Sequence, residues 1–298
     1  LFNLEKSFVH LHTHSHYSTL DGAIRIKDLL LRAGETGMPA VAVTDHGNMF
    51  GAMDLQQTAG ELNRKGGVSV KPIFGCELYL APGKMGDRIP NTKPYHLLAL
   101  AENEEGYHNL CRMVSISYIE GFYSKPRIDK EVLAAHCRGV ILGSACLAGE
   151  VAQCLLQGRT AEAEDAVAFY RSVAGEKNFF LELMDHGLEE QRRVNRELVA
   201  LARRTGTPLV ATNDAHFLGR DDAEAHDILL CIGTGKRLDD PKRFRFSSDQ
   251  FYLKTPEEMW ALFGEIPEAL TNTLLIADRC NVEIETTETA PADRKYKI

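Results

Sequence analysis

The chain has 298 residues, 44% hydrophobic and 26% charged, the balance of an ordinary globular protein. A formal net charge of -8 excludes a protein that coats nucleic acid by bulk positive charge, so a phosphate-bearing partner must be drawn by a local basic patch or by bound metal. No stretch nears the ~20 apolar residues of a membrane span, no signal-peptide pattern is present, and the seven cysteines are unevenly spaced; a cytoplasmic protein with reduced thiols and no membrane contact is expected.

Short apolar runs predict strands at 9–12, 41–44, 73–80, 96–101, 140–143, 179–184 and 209–212. Apolar residues at helical spacing predict helices over 26–37, 104–117, 161–173 and 189–204, the first stopped by Gly37 and Pro39. This alternation predicts an α/β fold with a mostly parallel sheet, open or closed into a barrel, over about residues 8–220. From about 221 to 285 it gives way to helices at 223–232, 256–263 and 267–280, read as an extension packed on the barrel. Residues 286–298 read as a linker or disordered tail. Between the first two late helices lies a loop with Lys236, Arg237, Lys242, Arg243 and Arg245, read as a solvated surface before it is read as a guide for a charged strand.

The chemistry lies in where His, Asp, Glu and Cys fall. The first strand runs into His10-Leu11-His12-Thr13-His14, with Asp21 close behind; the second ends Thr44-Asp45-His46; the third carries Cys76-Glu77. The fifth leads into Ser144-Ala145-Cys146 and the seventh into Asn213-Asp214-Ala215-His216. In a parallel barrel all strand C-termini open on one face, so these residues converge there. Strand alternation points His12 and His14 the same way, which suits two ligands on one ion. Any one of these residues alone is an ordinary polar strand end, a helix cap or a small buried thiol. Their repetition at most strand mouths is not, because buried unpaired carboxylates cost several kcal/mol each without a cation. A multinuclear metal site is expected.

Phe8-Val9-His10-Leu11-His12-Thr13-His14-Ser15, Leu20-Asp21-Gly22 and Thr44-Asp45-His46-Gly47-Asn48 resemble the polymerase-and-histidinol-phosphatase (PHP) superfamily. Further segments resemble the N-terminal domain of bacterial replicative polymerases, the DNA polymerase III α-subunit family. They are Gly106-Tyr107-His108-Asn109-Leu110, Glu120-Gly121-Phe122-Tyr123-Ser124-Lys125-Pro126-Arg127-Ile128-Asp129, Leu238-Asp239-Asp240-Pro241-Lys242-Arg243 and Phe251-Tyr252-Leu253-Lys254-Thr255-Pro256-Glu257-Glu258-Met259. The resemblance implies a PHP domain over 1–285, a distorted (β/α)7 barrel of the PHP type with a C-terminal helical extension. It implies three divalent ions on His12, His14, Asp21, His46, Glu77, His96, Cys146, Asp214 and His216, with His12, His14, Glu77 and Asp214 at the catalytic heart. One ion would sit on those four, a second on Glu77, His96 and Cys146, and a third on Asp21, His46 and His216. Only the resemblance chooses His96: it starts its strand, where the strand-end rule would not put a ligand, and His108 in a helix competes. His10, His16 and Asp45 are expected to orient the ligating rings.

Three carboxylates and one thiolate fall short of the charge of three divalent ions, leaving a site of about +2 that suits a phosphate. Mixed imidazole, carboxylate and thiolate donors suit zinc, then manganese or iron. The implied function is metal-dependent phosphodiester hydrolysis, in the form of 3′→5′ exonuclease proofreading on single-stranded DNA ends. The implied partners are the rest of a polymerase α subunit and other replisome subunits; nothing here resembles a polymerase palm. Two alternatives are a small-molecule phosphomonoesterase and a non-catalytic scaffold that docks a proofreading subunit.

Overall fold

The computed structural model describes residues 6–285. The strands are β1 (Ala40–Val43), β2 (Lys71–Leu80), β3 (Tyr95–Ala101), β4 (Arg127–Ile128), β5 (Val140–Gly143), β6 (Phe179–Leu183) and β7 (Leu209–Ala211). The helices are α1 (Ile26–Glu35), α2 (Ala52–Arg64), α3 (Glu104–Ile119), α4 (Lys130–His136), α5 (Glu150–Leu156), α6 (Thr160–Ala174), α7 (Glu189–Thr205), α8 (Ala223–Thr234), α9 (Pro256–Phe263) and α10 (Pro267–Arg279). The sheet runs β1-β2-β3-β5-β6-β7, with β4 beside β2. Residues 10–15 join its two ends: the Ala42 N–H donates to the His10 carbonyl at 2.9 Å, and the His14 N–H to the Ala215 carbonyl at 2.8 Å. The curled sheet is the distorted barrel the resemblance implies.

One expectation is corrected. The run 9–12 is no regular strand: it pairs by isolated bridges, His10 with Val41 and Thr13 with Ala215. The two-residue repeat breaks inside it, because Leu11 packs in the lumen and its neighbour His12 also turns inward, to Glu182. The strand-end rule also meets an exception in a sheet that is mostly parallel, as expected: β3 is antiparallel to both β2 and β5. The segment between β2 and β3 holds no helix, and a return without a crossover reverses the strand. Helices α2, α4 and α5 lie outside the expected set. The first buries only a narrow stripe (Ala52, Leu55, Ala59), and the other two are short helices of seven residues, about two turns each.

The predicted helices form for identifiable reasons. α7 buries Val194, Leu198, Leu201 and Ala202 along one side and stops at Gly206, whose φ of 64° suits a residue without a Cβ. α9 starts at a capping box, the Thr255 side chain accepting from the Glu258 N–H and the Glu258 carboxylate from the Thr255 N–H, with Pro256 in the first turn. α1, α2, α6 and α7 pack outside the barrel over one apolar layer. A second layer fills the lumen: Val9, Leu11, Ala42, Ile73, Leu98, Leu100, Ile141, Phe180 and Val210, closed below by Ile276 and Ala277 of α10 and by Cys280 just after it. Of the late helices, α9 and α10 join the apolar layers of the barrel, and α10 plugs its lumen. The expected tail at 286–298 lies outside the described residues. No helix among the described residues is long and apolar enough to cross a membrane.

Candidate metal centre

Above the apolar plug, the lumen turns polar. Glu77 stands on β2 four residues after Ile73, on the same face, and is buried. His12 and His14 reach it from the closing segment: His12 Nε2 lies 3.2 Å from Glu77 Oε1 and 3.4 Å from Asp214 Oδ1, and His14 Nε2 lies 3.0 Å from Asp214 Oδ1. His46, past the end of β1, has Nδ1 2.7 Å from Glu77 Oε2 and Nε2 3.1 Å from Asp21 Oδ2. His216 stacks on His14 with ring centroids 4.3 Å apart, and its Nδ1 lies 2.8 Å from the Asp214 carbonyl. His96 Nδ1 lies 2.9 Å from Glu77 Oε1 and 3.8 Å from the Cys146 sulfur.

All nine residues singled out in the sequence thus gather at one mouth. Because β3 is antiparallel, its start opens where its parallel neighbours end, and the strand-end rule then accommodates His96. His108 lies elsewhere, in an open cleft with Cys111, Arg112 and His136. Donor atoms within 4.8 Å of one another form the groups His12-His14-Glu77, His46-Glu77-His96 and His14-His46-His216. The first shares three members with the first implied ion. The second has His46 where Cys146 was implied, and the third has His14 where Asp21 was implied.

The donor set fits divalent cations. Eight buried side-chain N or O atoms among the described residues lack a hydrogen bond of proper geometry, and six are here: His12 Nε2, His14 Nε2, Asp21 Oδ1, His46 Nδ1, Glu77 Oε2 and Asp214 Oδ1. An orphaned buried polar atom costs about 1–3 kcal/mol, so a cluster of them aimed at one space calls for a ligand. The backbone is strained at the same places. Leu20 (φ 62°), Ala145 (φ 61°) and Asp214 (φ 45°) are three of the five non-glycine residues with positive φ among the described residues, and they lie at or beside Asp21, Cys146 and Asp214.

Sequence reasoning misses two residues that hold the donors in place. Glu182 on β6, 2% exposed, takes His12 Nδ1 at 3.0 Å and accepts from the Thr212 hydroxyl at 2.8 Å and the Ala145 N–H at 2.6 Å. That leaves His12 Nε2 to face Glu77 and Asp214. Gly143 makes room for it, since a Cβ there would come within 2.4 Å of Glu182 Oε1. The signal was present: a carboxylate inside Phe179-Phe180-Leu181-Glu182-Leu183, two residues from an inward Phe180. The second missed residue, Ser18, lies 3.1 Å from His14 Nδ1 and donates to Asp45 Oδ1 at 2.7 Å, so Asp45 steadies His14 through it. His10 and His16 do not orient the cluster: His10 Nε2 bonds the Lys254 carbonyl and His16 Nδ1 the Ile24 carbonyl.

Without a cation, the imidazoles supply the positive charge. Burial opposes a charge on His12, but Asp214, Glu182 and Glu77 outweigh it and raise its pKa well above an ordinary imidazole. Burial is likewise outweighed at His46, by Glu77 and Asp21, up to about 10. Burial, and then His46 and His216, push His14 down to about 3. Burial would raise Glu77, yet His96, His12 and His46 hold it well below the carboxylate range. Burial, then Asp214 and Glu77, push the Cys146 thiol up, so a thiolate there needs a cation. The basic loop beside this mouth is partly neutralised. Lys236 pairs with Asp240, Arg237 with Asp239 and Arg243 with Asp227, and among the described residues Lys242 and Arg245 form no ion pair.

A family model described as the PHP domain matches residues 10–186, which include seven of the nine gathered residues. The chain is 50% identical over 281 residues to the DNA polymerase III subunit alpha of Treponema pallidum, covering 93% of this chain and 24% of that one. It is 44% identical over 286 residues to the same subunit of Thermus aquaticus, covering 93% and 23%. The chain thus spans about a quarter of the length of the curated relatives it matches. Among solved structures there is a weaker likeness to a candidate metal-dependent phosphoesterase of Bifidobacterium adolescentis, with a TM-score of 0.45 and 13% identity over 86% of this chain and 95% of that one. The match to more than half of its length places this chain in the PHP domain family.

Proposed function

We propose that this chain is the PHP domain of a bacterial replicative polymerase α subunit and hydrolyses phosphodiester bonds at the 3′ ends of single-stranded DNA, as a proofreading exonuclease. His12, His14, Asp21, His46, Glu77, His96, Cys146, Asp214 and His216 would hold a cluster of three divalent ions, zinc foremost. The observation that carries this reading is the set of six buried donor atoms crowded at one mouth with no hydrogen bond of proper geometry. A second support is the 50% identity to a polymerase relative over 93% of this chain, a stretch longer than the family match at residues 10–186.

Bound divalent ions would act as Lewis acids and bring the pKa of a water towards ~7. The chain's part is to present the donors in fixed form. Glu182 holds the proton of His12 on Nδ1 and frees Nε2, and the Asp214 carbonyl does the same for His216. Ser18 leans His14 against Asp45. The polymerase context makes the remainder of the α subunit and other replisome subunits the expected partners.

Native mass spectrometry at neutral pH is expected to find about three divalent ions per chain, zinc prominent, and loss of metal below pH ~6. On the same preparation, single-stranded DNA should be degraded from its 3′ end faster than small phosphomonoesters are hydrolysed. Asp214→Asn should abolish that cleavage while keeping the fold, because the amide matches the carboxylate in shape but binds cations weakly. One ion or none in the wild type, or full activity in the variant at equal metal content, overturns the assignment.

A further inference from the structure

The rim beside Tyr79 has a different chemistry from that of the basic loop. Tyr79 of β2, buried, packs against both His46 and His96 with ring centroids 5.9 and 5.2 Å away. The exposed Lys125 ammonium sits 5.1 Å from the centre of the Tyr79 ring, and Lys125 forms no ion pair among the described residues. Outward from there lie three exposed aromatic rings in series. Tyr118 (40% exposed) is 6.2 Å from Phe50 (64%) on one side and 6.2 Å from Phe122 (52%) on the other, and it is near-parallel to Phe122 at 27°.

This ledge is built rigidly. Arg127, itself buried, donates to the carbonyls of Gly121, Met85 and Asp87, pinning the segment that carries Phe122 and Lys125. Gly121 allows that approach, since a Cβ would meet the Arg127 carbonyl oxygen at 1.8 Å. Ser124, with φ 62°, makes the tight turn in which the Tyr123 N–H donates to the Lys125 carbonyl at 3.0 Å. Solvent-facing aromatic rings held at such positions mark a surface that is used. The partner that matches flat π-faces in a row beside one free cation, continuous with a phosphoester-cleaving centre, is single-stranded nucleic acid. Its bases stack on rings and its phosphates meet the ammonium.

We propose that Phe50, Tyr118 and Phe122, with Lys125 over Tyr79, form a stacking ledge that receives the bases next to the 3′ end of single-stranded DNA entering the metal centre. It rests on the nucleic-acid reading above, and it explains how an acidic chain would hold such a strand.

The test is fluorescence anisotropy of a short 5′-labelled oligothymidylate on the full 298-residue chain, titrated with and without chelator so that binding is read apart from cleavage. Phe122→Ala and Phe50→Ala should each weaken binding about 5-fold or more, Phe122→Trp should restore it, and Lys125→Ala should lower the salt slope by about 1. Ile119→Ala, 82% exposed on the same helix as Tyr118 but outside the ring series, is the control expected to bind like wild type. Metal content and Tm check that each variant is folded. Binding by Phe122→Ala and Phe50→Ala equal to wild type, or no binding by wild type itself, overturns the ledge. Loss of self-association with unchanged oligonucleotide affinity overturns it too, and marks a protein-docking face. A wild type that binds through these rings yet cleaves nothing leaves the ledge standing and removes the exonuclease reading.

Discussion

The two ends of the barrel lumen are built from the same strands and do opposite things. On β6, Phe180 belongs to the apolar plug, and Glu182, two residues on and on the same face, holds His12. On β3 the order is reversed: His96 opens the strand at the mouth, and Leu98 and Leu100 follow it down into the plug. One end is closed by Ile276 and Ala277 of α10 and by Cys280 just after it; the other leaves six donor atoms without a hydrogen bond of proper geometry. Stability is concentrated below and function above, and two residues of strand separate them. The plug gains about 1.5–3 kcal/mol for each large side chain it buries, and this offsets a mouth where charge is buried at a cost.

Adjacent same-face substitutions on β6 should separate the two roles most clearly. Phe180→Ala should destabilise the fold by about 3–5 kcal/mol, read by denaturant unfolding, while folded protein keeps its full metal content. Glu182→Gln should do the reverse. The amide keeps the size of the side chain but no longer supports the basicity of His12, so metal affinity should fall about 10–100-fold with little change in unfolding midpoint of the chelated protein. If both variants lose stability and metal in parallel, the lumen is one cooperative unit and the division is wrong.

A smaller effect tests the reversed strand. His96→Ala should cut metal occupancy more than ~10-fold, because it strips a donor from the group it shares with Glu77. His108→Ala should leave metal content intact, since that ring lines a separate cleft on α3. An emptied site in His108→Ala and a full one in His96→Ala would reverse the assignment.

What was legible in the sequence follows from how local each signal is. His12, His14, His46, Cys146, Asp214 and His216 could be read because each follows an apolar run at the end that a parallel barrel opens. His96 could not be read that way, because the reversal of β3 is decided by the helix-free segment between β2 and β3, whereas the rule assumes every strand is parallel. The irregular closing segment escaped because its pairing comes from two remote partners, Val41 and Ala215. Glu182 was passed over because a carboxylate within an apolar strand has no visible partner until His12 is brought to it across the lumen. The aromatic ledge is less legible still: Phe50 and Phe122 meet through Tyr118 only after α3 has folded against β2.

The smallest expected effect is a difference in sign. In chelated protein, burial disfavours a charged His46, yet Glu77 and Asp21 raise its pKa from 6.5 to about 10, and His12 is also raised. A folded-state pKa above the unfolded value contributes stability that is complete below about 6.5 and is lost as pH rises through the folded value. The chelated chain should therefore lose a few degrees of Tm between pH ~6.5 and ~10. The metal-loaded chain should move the other way over the lower part of that range, because cations replace those protons and bind better once the imidazoles are neutral. The plug adds to either slope only above pH ~9, where burial holds the Cys280 thiol, pushed up to about 12, protonated while the unfolded thiol ionises. Thermal melts across pH, with and without chelator, decide it. Parallel slopes would mean that protons and cations do not compete for the mouth, and the six donor atoms without a properly formed hydrogen bond would then need another explanation.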